Sequence, residues 1–477
     1  GAGEKVLANK GVPFAIADHR KAYRNRARHK AHIHFSHDNW DGWLRYTRSG
    51  TAALKNIRDF QKDDPDDLLK RGYGYQQFTA LIAHKNELSD TLSLNSRVSY
   101  DMLDTETNPK KSFAEYEYHA RVIANWLPHV DHSLAFGFEY SREIFGKRSP
   151  GFPHEEPFIN GRLKGTPPWR TDTYSILSEY QWSMSDELTL FLGARGDKHT
   201  YTDWLISPRT ALVYTPTEED TVKFIYNSSV RRSDDADLRE NHLASKSVDD
   251  GESIDVFELR YERQQSEVFW LAASTYYGDY DVVSFNGKAR EIQDIGTLKY
   301  FGFELEADYR SDKWRVMFSH NFTKLIDFDL ADDSTTIQNI SANPYGYGDD
   351  LANWSNHNTK LSVKYELTKQ WSASGSLRYH WGYPGAEDMA RYNSEVLGGS
   401  TNLPLQDETA SNRAFEESIF VNLGIEYRPS ERTTWRLDAL NVLGWFDEDL
   451  NKRNQFWRSG LYRDEAPALS LRYVRKF

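Results

Sequence analysis

The 477-residue chain contains no cysteine and only four methionines. The first absence excludes disulfides and thiolate metal sites. Nowhere does the chain hold a run of about 18 apolar residues, so it contains no membrane-crossing helix. Basic charge is also short. Lys and Arg total 59 against 71 Asp and Glu, a net charge of -12. That balance argues against nucleic acid as a partner, because phosphate binding needs concentrated cations. No signal peptide is readable at Gly1. What the chain has in excess is aromatic: 28 Tyr, 25 Phe and 14 Trp make up 14% of it.

The dominant pattern is alternation of apolar and polar residues. In the stretch Thr91–Tyr100, Leu92, Leu94, Val98 and Tyr100 share one face, and Thr91, Ser93, Asn95 and Arg97 the other. Leu188, Leu190, Leu192 and Ala194 oppose Thr189, Arg195 and Asp197, and Phe301, Phe303, Leu305, Ala307 and Tyr309 oppose Glu304, Glu306, Asp308 and Arg310. Successive side chains on a strand point to opposite faces, so each segment has one apolar and one wet face. Most such segments run about ten residues, enough for a tilted strand to cross a bilayer core; soluble strands average about five or six. Tyr180, Trp182, Tyr226, Tyr309, Tyr379, Trp381, Tyr427 and Trp435 sit near segment ends, as interfacial girdles require.

The connections alternate as well. Short turns at 38–42, 85–90, 128–132, 183–186, 216–220, 264–267, 311–312, 368–369 and 429–432 mark hairpins. Between them lie polar links at 49–72, 102–112, 141–170, 231–252, 279–297, 324–356, 382–416 and 444–466. The predicted fold is all-β: a large antiparallel transmembrane β-barrel of about 20–22 strands over residues 31–477, with short periplasmic turns and long extracellular loops. About nineteen strands are countable, from Ala31–His37 to Leu469–Phe477. The first and last of these run the same way, so closing an even-numbered barrel takes an odd number of further strands. Residues 1–30 form an N-terminal segment holding at best an incomplete early strand.

Several segments resemble TonB-dependent outer-membrane receptors. The hairpin Arg170–Asp197, with its turn Met184-Ser-Asp-Glu187, is similar to the family's mid-barrel hairpin, and Ser207-Pro-Arg-Thr-Ala-Leu-Val-Tyr-Thr-Pro-Thr217 to the strand after it. Glu252-Ser-Ile-Asp-Val-Phe-Glu-Leu259 and Gly302-Phe-Glu-Leu-Glu-Ala-Asp-Tyr309 resemble further family strands, and Leu440-Asn-Val-Leu443 the strand end before the last loop. The ending Leu469-Ser-Leu-Arg-Tyr-Val-Arg-Lys-Phe477 is similar to the C-terminal recognition strand of outer-membrane barrels, with Leu469, Leu471, Tyr473 and Phe477 as the assembly signal. The resemblance implies a bacterial outer-membrane location, a 22-stranded barrel and an N-terminal plug. It also implies uptake of a scarce ligand, a ferric siderophore-like chelate foremost, driven by a TonB-type energy-coupling protein pulling on that plug. This chain departs from the pattern: no plug is readable in it, so the expected partners include a plug domain or a separate plug-bearing chain. Membrane lipid and a small-molecule or chelate ligand complete the expected partners. A passive porin and a soluble β-rich adhesin or carbohydrate-binding protein are the competing readings.

Candidate chemistry is thin. His32 and His34 share a face and are spaced for a shared metal; a polar lumen face near the periplasmic rim is the alternative. Asp327 and Asp329, with Asp332 and Asp333 and then Asp349 and Asp350, offer oxygen ligands for Ca²⁺ in an outer loop, or are a solvated acidic loop. Arg231 and Arg232 open a long link and read as ligand contacts or as a solvated loop base. Val230-Arg-Arg-Ser233 does not match the Phe-Arg-Ala-Pro segment of the family's haem receptors, which argues against haem. Tyr345, Tyr347 and Trp354, among glycines, offer a surface that stacks on aromatic chelators or sugar rings. No Ser/His/Asp arrangement, phosphate loop or paired-carboxylate spacing stands out, so no catalytic residue, enzymatic activity or cofactor is expected.

Overall fold

Period-two alternation forms strands because each strand then presents one continuous apolar face, and neighbouring strands bury their backbone groups against one another. The computed structural model describes residues 29–51, 73–108, 111–147, 168–246, 251–286, 291–331, 355–382, 417–447, 450 and 467–475. They hold nineteen strands in one sheet. In order these are β1 (His29–His37), β2 (Trp40–Thr51), β3 (Tyr73–Ser89), β4 (Leu92–Asn108), β5 (Lys111–His129), β6 (His132–Lys147), β7 (Trp169–Ser183), β8 (Leu188–His199), β9 (Trp204–Tyr214) and β10 (Asp220–Arg231). After a helix, α1 (Asp235–Leu243), follow β11 (Glu252–Ser266), β12 (Phe269–Asn286), β13 (Glu291–Arg310), β14 (Trp314–Leu330), β15 (His357–Glu366), β16 (Trp371–Trp381), β17 (Ser418–Ser430), β18 (Thr433–Leu440) and β19 (Ala468–Arg475). Each strand pairs antiparallel with the next in sequence, from β1–β2 through β18–β19. This is the up-and-down order of a transmembrane barrel.

The registers bring the apolar faces together. One row of cross-strand partners reads Trp182, Leu190, Leu212, Phe224, Leu259, Thr275, Phe303, Phe322, His357 and Trp381. It begins at the short-turn end of β7 and finishes at the opposite end of β16, the climb expected of tilted strands. Phe224 and Leu259 lie exposed on this face, as lipid contact requires. At the short-turn end, Trp314–Tyr365, Trp371–Tyr427 and Trp435–Tyr473 pack as cross-strand ring pairs with centroids 4.3, 4.4 and 4.5 Å apart. They form a girdle on the outward face. Leu469, Leu471 and Tyr473 stand on that same face of β19, and Phe477 lies outside the described residues.

Strand lengths and links depart from the sequence rhythm. Within the segments 102–112 and 279–297, expected as loops, residues 102–108, 111–112, 279–286 and 291–297 are strand: β4 and β5 run 17 and 19 residues, β12 and β13 run 18 and 20. About ten residues suffice to cross the bilayer, and beyond that length no lipid enforces apolar side chains at every second position, so the alternation that betrays a strand fades there. The outer links between β4 and β5, β8 and β9, and β12 and β13 are therefore short, and the long–short rhythm fails at these three places.

The tall β12–β13 hairpin carries a reciprocal feature. Tyr276 lies opposite Gly302, and Gly278 opposite Tyr300. Each tyrosine ring occupies the space a side chain on the facing glycine would take. Tyr276 Oη is then held by Thr323 Oγ1 at 2.6 Å and by Asn321 Nδ2 at 3.0 Å.

Candidate functional site

The inward faces carry the charge. Arg195 donates to Glu139 at 2.8 Å and pairs with Asp197 at 2.9 Å, and Arg121 reaches Glu139 at 3.5 Å. Further round the wall, Glu262 is shared by Lys223 at 2.8 Å and Arg260 at 2.6 Å, and Arg428 meets Glu366 at 2.7 Å. These groups lie on the face opposite the apolar row, so they line a water-accessible lumen.

At the outer end of β5–β8 the lumen wall forms a chamber of about 660 Å³, bounded by Glu115, Glu143, Phe145 and Trp169 and by the link after β10. That link turns inward as α1. Asp234 caps the helix by accepting from the Ala236 amide at 2.8 Å, and Asp235 and Asp237 occupy the first turn, where the helix dipole favours negative charge. Leu238 is fully buried, and Asn241 accepts from the Ile292 amide of β13 at 3.1 Å. The other end meets β6–β8: Thr171 Oγ1 donates to Asp235 at 3.0 Å and lies 3.4 Å from Glu143, and His199 Nε2 lies 3.5 Å from Asp235. Arg232 pairs with Glu143 at 3.1 Å and with Asp235 in closer contact, while Arg231 pairs with Glu252. Burial, and a hydrogen bond shared with Glu143, push the Asp235 carboxyl up to about 8 against the opposing pull of Arg232. Asp235 and Glu143 thus share one guanidinium and one hydroxyl.

A second chamber of about 490 Å³ adjoins the first and shares Glu143, Arg231 and Arg232 with it; His119, Glu139, Arg195 and His199 line its far side.

Arg232 is largely buried between two carboxylates, whereas Arg231 is 76% exposed and pairs with Glu252. Both line the chamber. Asp327 and Asp329 stand in β14, not in a loop, because that strand continues to Leu330; Asp327 lies 3.7 Å from Lys299. Asp332, Asp333, Asp349, Asp350, Tyr345, Tyr347 and Trp354 lie outside the described residues. His32 and His34 share the inward face, where His34 hydrogen-bonds Asp41 at 2.7 Å and His32 packs near Trp43. Among the described residues no group of three His, Asp or Glu is placed to hold a metal ion. Sequence reasoning missed α1, Glu143, Asp235 and His199. The run Ser233-Asp-Asp-Ala-Asp237, a capping residue followed by an acidic first turn, was the available signal.

An up-and-down sheet with an apolar outer face, an ion-paired lumen and tall outer hairpins defines a large outer-membrane-type transport barrel. The sequence model described as "TonB dependent receptor-like, beta-barrel" matches residues 18–443, so the chain belongs to that family. No curated protein matches the sequence. Solved structures with the same fold include a mutant of the ferric enterobactin receptor of Pseudomonas aeruginosa, at 13% identity and a TM-score of 0.61, covering 85% of this chain and 61% of that one. The siderophore receptor PirA of Acinetobacter baumannii is 12% identical with a TM-score of 0.65, covering 94% of this chain and 70% of that one. The ferric-catecholate import receptor Fiu of E. coli is 13% identical with a TM-score of 0.61, covering 94% and 74%. The chain thus spans less than two thirds of the first of these. At such identities the likeness is one of fold.

Proposed function

We propose that this chain forms the barrel of an uptake receptor in a bacterial outer membrane. It admits a scarce small ligand, a ferric siderophore-like chelate foremost, and works with a plug seated in the lumen and a TonB-type energy-coupling protein. The observation that carries this reading is the polar double chamber at the outer mouth, built by α1 and the tall strands around it. A general porin needs an open, weakly selective passage, whereas a receptor needs a preformed site facing the medium. Family membership supports the same reading. The polar chamber walls, formed from paired side chains, suit binding and release, and no catalytic role is assigned to them.

The test is uptake of radiolabelled ferric chelates by iron-starved cells of the source bacterium, with and without the gene. Uptake that needs both the gene and an energised inner membrane is the expected result. A large, stable single-channel conductance from the native protein in planar bilayers, with energy-independent uptake, would favour a porin and overturn the proposal. Release of the protein into detergent-free buffer would overturn both membrane readings.

A further inference from the structure

The outward face changes sign around the barrel. On β6, β7 and β8 it carries Phe138 and Ile176 within the apolar band, and nearer the outer end Arg142, Arg170 and Lys198. The register places these together. Tyr174 lies between Tyr140 and Lys198, Asp172 lies opposite Arg142, and Arg170 opposite Ile144. Over β11 and β12 the same face ends instead in Asp255, Asp279 and Asp281. The basic sector is therefore local and not a property of the whole rim.

Surface cations alone need no partner but water. Two further features point to one. The first is height. Tyr140 packs on Tyr174 with ring centroids 5.1 Å apart, and Tyr100 on Tyr118 at 5.2 Å. Trp204 lies opposite Lys198. Tyr118, Tyr174 and Trp204 are about half exposed, as are Phe138 and Ile176 on the side toward the short turns. An exposed aromatic belt of this kind marks where acyl chains give way to headgroups. The three cations stand at that belt and just beyond it. The second feature is a shortage of carboxylate. Asp172 accepts from the Tyr140 hydroxyl at 2.6 Å and from Arg142 Nε at 2.7 Å. Arg170 is 3.9 Å from the same carboxylate, too far for a hydrogen bond, and is 64% exposed. Among the described residues Arg170 donates no hydrogen bond, and Arg142 donates only through Nε. Lys198 meets Asp203 at 2.9 Å, but Asp203 is almost fully exposed, and such a pair contributes little.

From this juxtaposition of under-neutralised guanidinium groups and an exposed tyrosine–tryptophan belt, we infer that the outward face of β6–β8 binds the phosphorylated headgroup of an outer-leaflet lipid. The planar guanidinium fork of Arg170 matches two phosphate oxygens, and Arg142 has its terminal nitrogens left for the same group. Asp172 holds Arg142 in place through Nε and so positions it without neutralising both arginines. Lys198 adds a point charge beside them. The lipid's acyl chains then lie along Phe138 and Ile176. Clustered Lys and Arg beside a bilayer attract anionic lipid in this way. The acidic sector over β11 and β12 repels the same headgroup, so the barrel presents its lipid with one preferred side. The site lies outside the lumen. It rests on the outer-membrane reading above and is independent of what the receptor takes up.

The test titrates lipid into the purified protein in mild non-ionic detergent and counts bound lipid by native mass spectrometry. The probes are a diphosphorylated glucosamine-based glycolipid, the same lipid stripped of phosphate, and inorganic phosphate as competitor. The variants are Arg170→Gln, Lys198→Gln and their double, with Lys324→Gln as a control that removes an exposed charge from β14. A heat-dependent gel shift shows that each variant is folded. The expected result is saturable binding of the phosphorylated lipid and weak binding of the stripped one. Affinity should fall about fivefold in each single variant and about thirtyfold in the double. It should weaken with added salt and stay unchanged in the control. Equal binding of the two lipids to the native chain would overturn the phosphate site and leave the barrel reading standing. A loss in the control as large as in the double variant would overturn its location. Competition by inorganic phosphate at the lipid's own concentration would overturn the assignment to a lipid. Stable protein in detergent-free buffer would remove the membrane reading itself, an outcome separate from the other three.

Discussion

Ser376 and Leu377 are neighbours in β16, yet they face different solvents. Leu377 sits outward between Leu361 and Val421. Ser376 points into the lumen, where it accepts from Asn422 at 3.2 Å. The outer face is apolar and gains its stability from lipid contact and cross-strand packing. The lumen face is a lattice of ion pairs and hydrogen bonds over water. One backbone therefore carries two sets of rules, and the same substitution has a different cost one residue apart.

The largest expected effect breaks that comparison directly. Leu377→Arg buries a guanidinium against hydrocarbon and costs about 2–4 kcal/mol. Ser376→Arg places the same group in water and costs less than about 1 kcal/mol. Urea titration of folding into lipid vesicles reads both; equal costs would mean the faces are misassigned. A smaller effect sharpens the lumen side. Arg232→Ala leaves Glu143 and Asp235 facing each other without their cation. Since Arg232 is partly exposed, the cost is discounted to about 1–3 kcal/mol. The loss falls on α1, so faster amide exchange confined to 235–243 is expected, and unchanged exchange there counts against the strut. The last test is the pH response of the same helix. The Asp235 carboxyl is raised from its ordinary 3.8 to about 8, so the docked state holds a proton that the undocked state releases. Docking is thus strongest below about pH 4 and weakens as pH rises through about 8, by at most about tenfold per unit. Exchange of the α1 amides between pH 6 and 9, corrected for intrinsic rates, should show the slope, and Asp235→Asn should abolish it. The apolar face has no counterpart to this response.

How much of this was legible in the sequence follows the same division. The outward face was plain, because lipid enforces apolar side chains at every second position; β8 and β13 read directly from Leu188–Ala194 and Phe301–Tyr309. The tall outer ends were not. In Asp279-Tyr-Asp-Val282 and Asp104-Thr-Glu-Thr107 polar residues stand on both faces of the sequence pattern, and period two leaves no clear trace, although Val282 packs into a buried cluster with Ile295, Leu298 and Leu325. The chamber was least legible of all. Thr171 and Asp235 are 64 residues apart, and Arg232 and Glu143 are 89 apart. Local pattern says nothing about pairs that only the barrel's curvature unites. α1 has Leu238 as its one fully buried apolar residue and no amphipathic stripe, so its capping residues were its single signature.

The Tyr276–Gly302 and Tyr300–Gly278 sockets bear on how such a wall is assembled. A one-residue slip of β12 against β13 would turn every lipid-facing side chain into the lumen and is excluded by that alone. A two-residue slip is more dangerous, because it keeps every face correct. In one direction it would set Tyr276 against Tyr300, two rings competing for one place. In the other it would set Gly278 against Gly302, leaving a gap, and put Tyr276 against Glu304. The hairpin therefore distinguishes its true alignment from errors that hydrophobicity cannot detect. It acts as a vernier for the tallest part of the barrel, on whose inner side α1 is anchored.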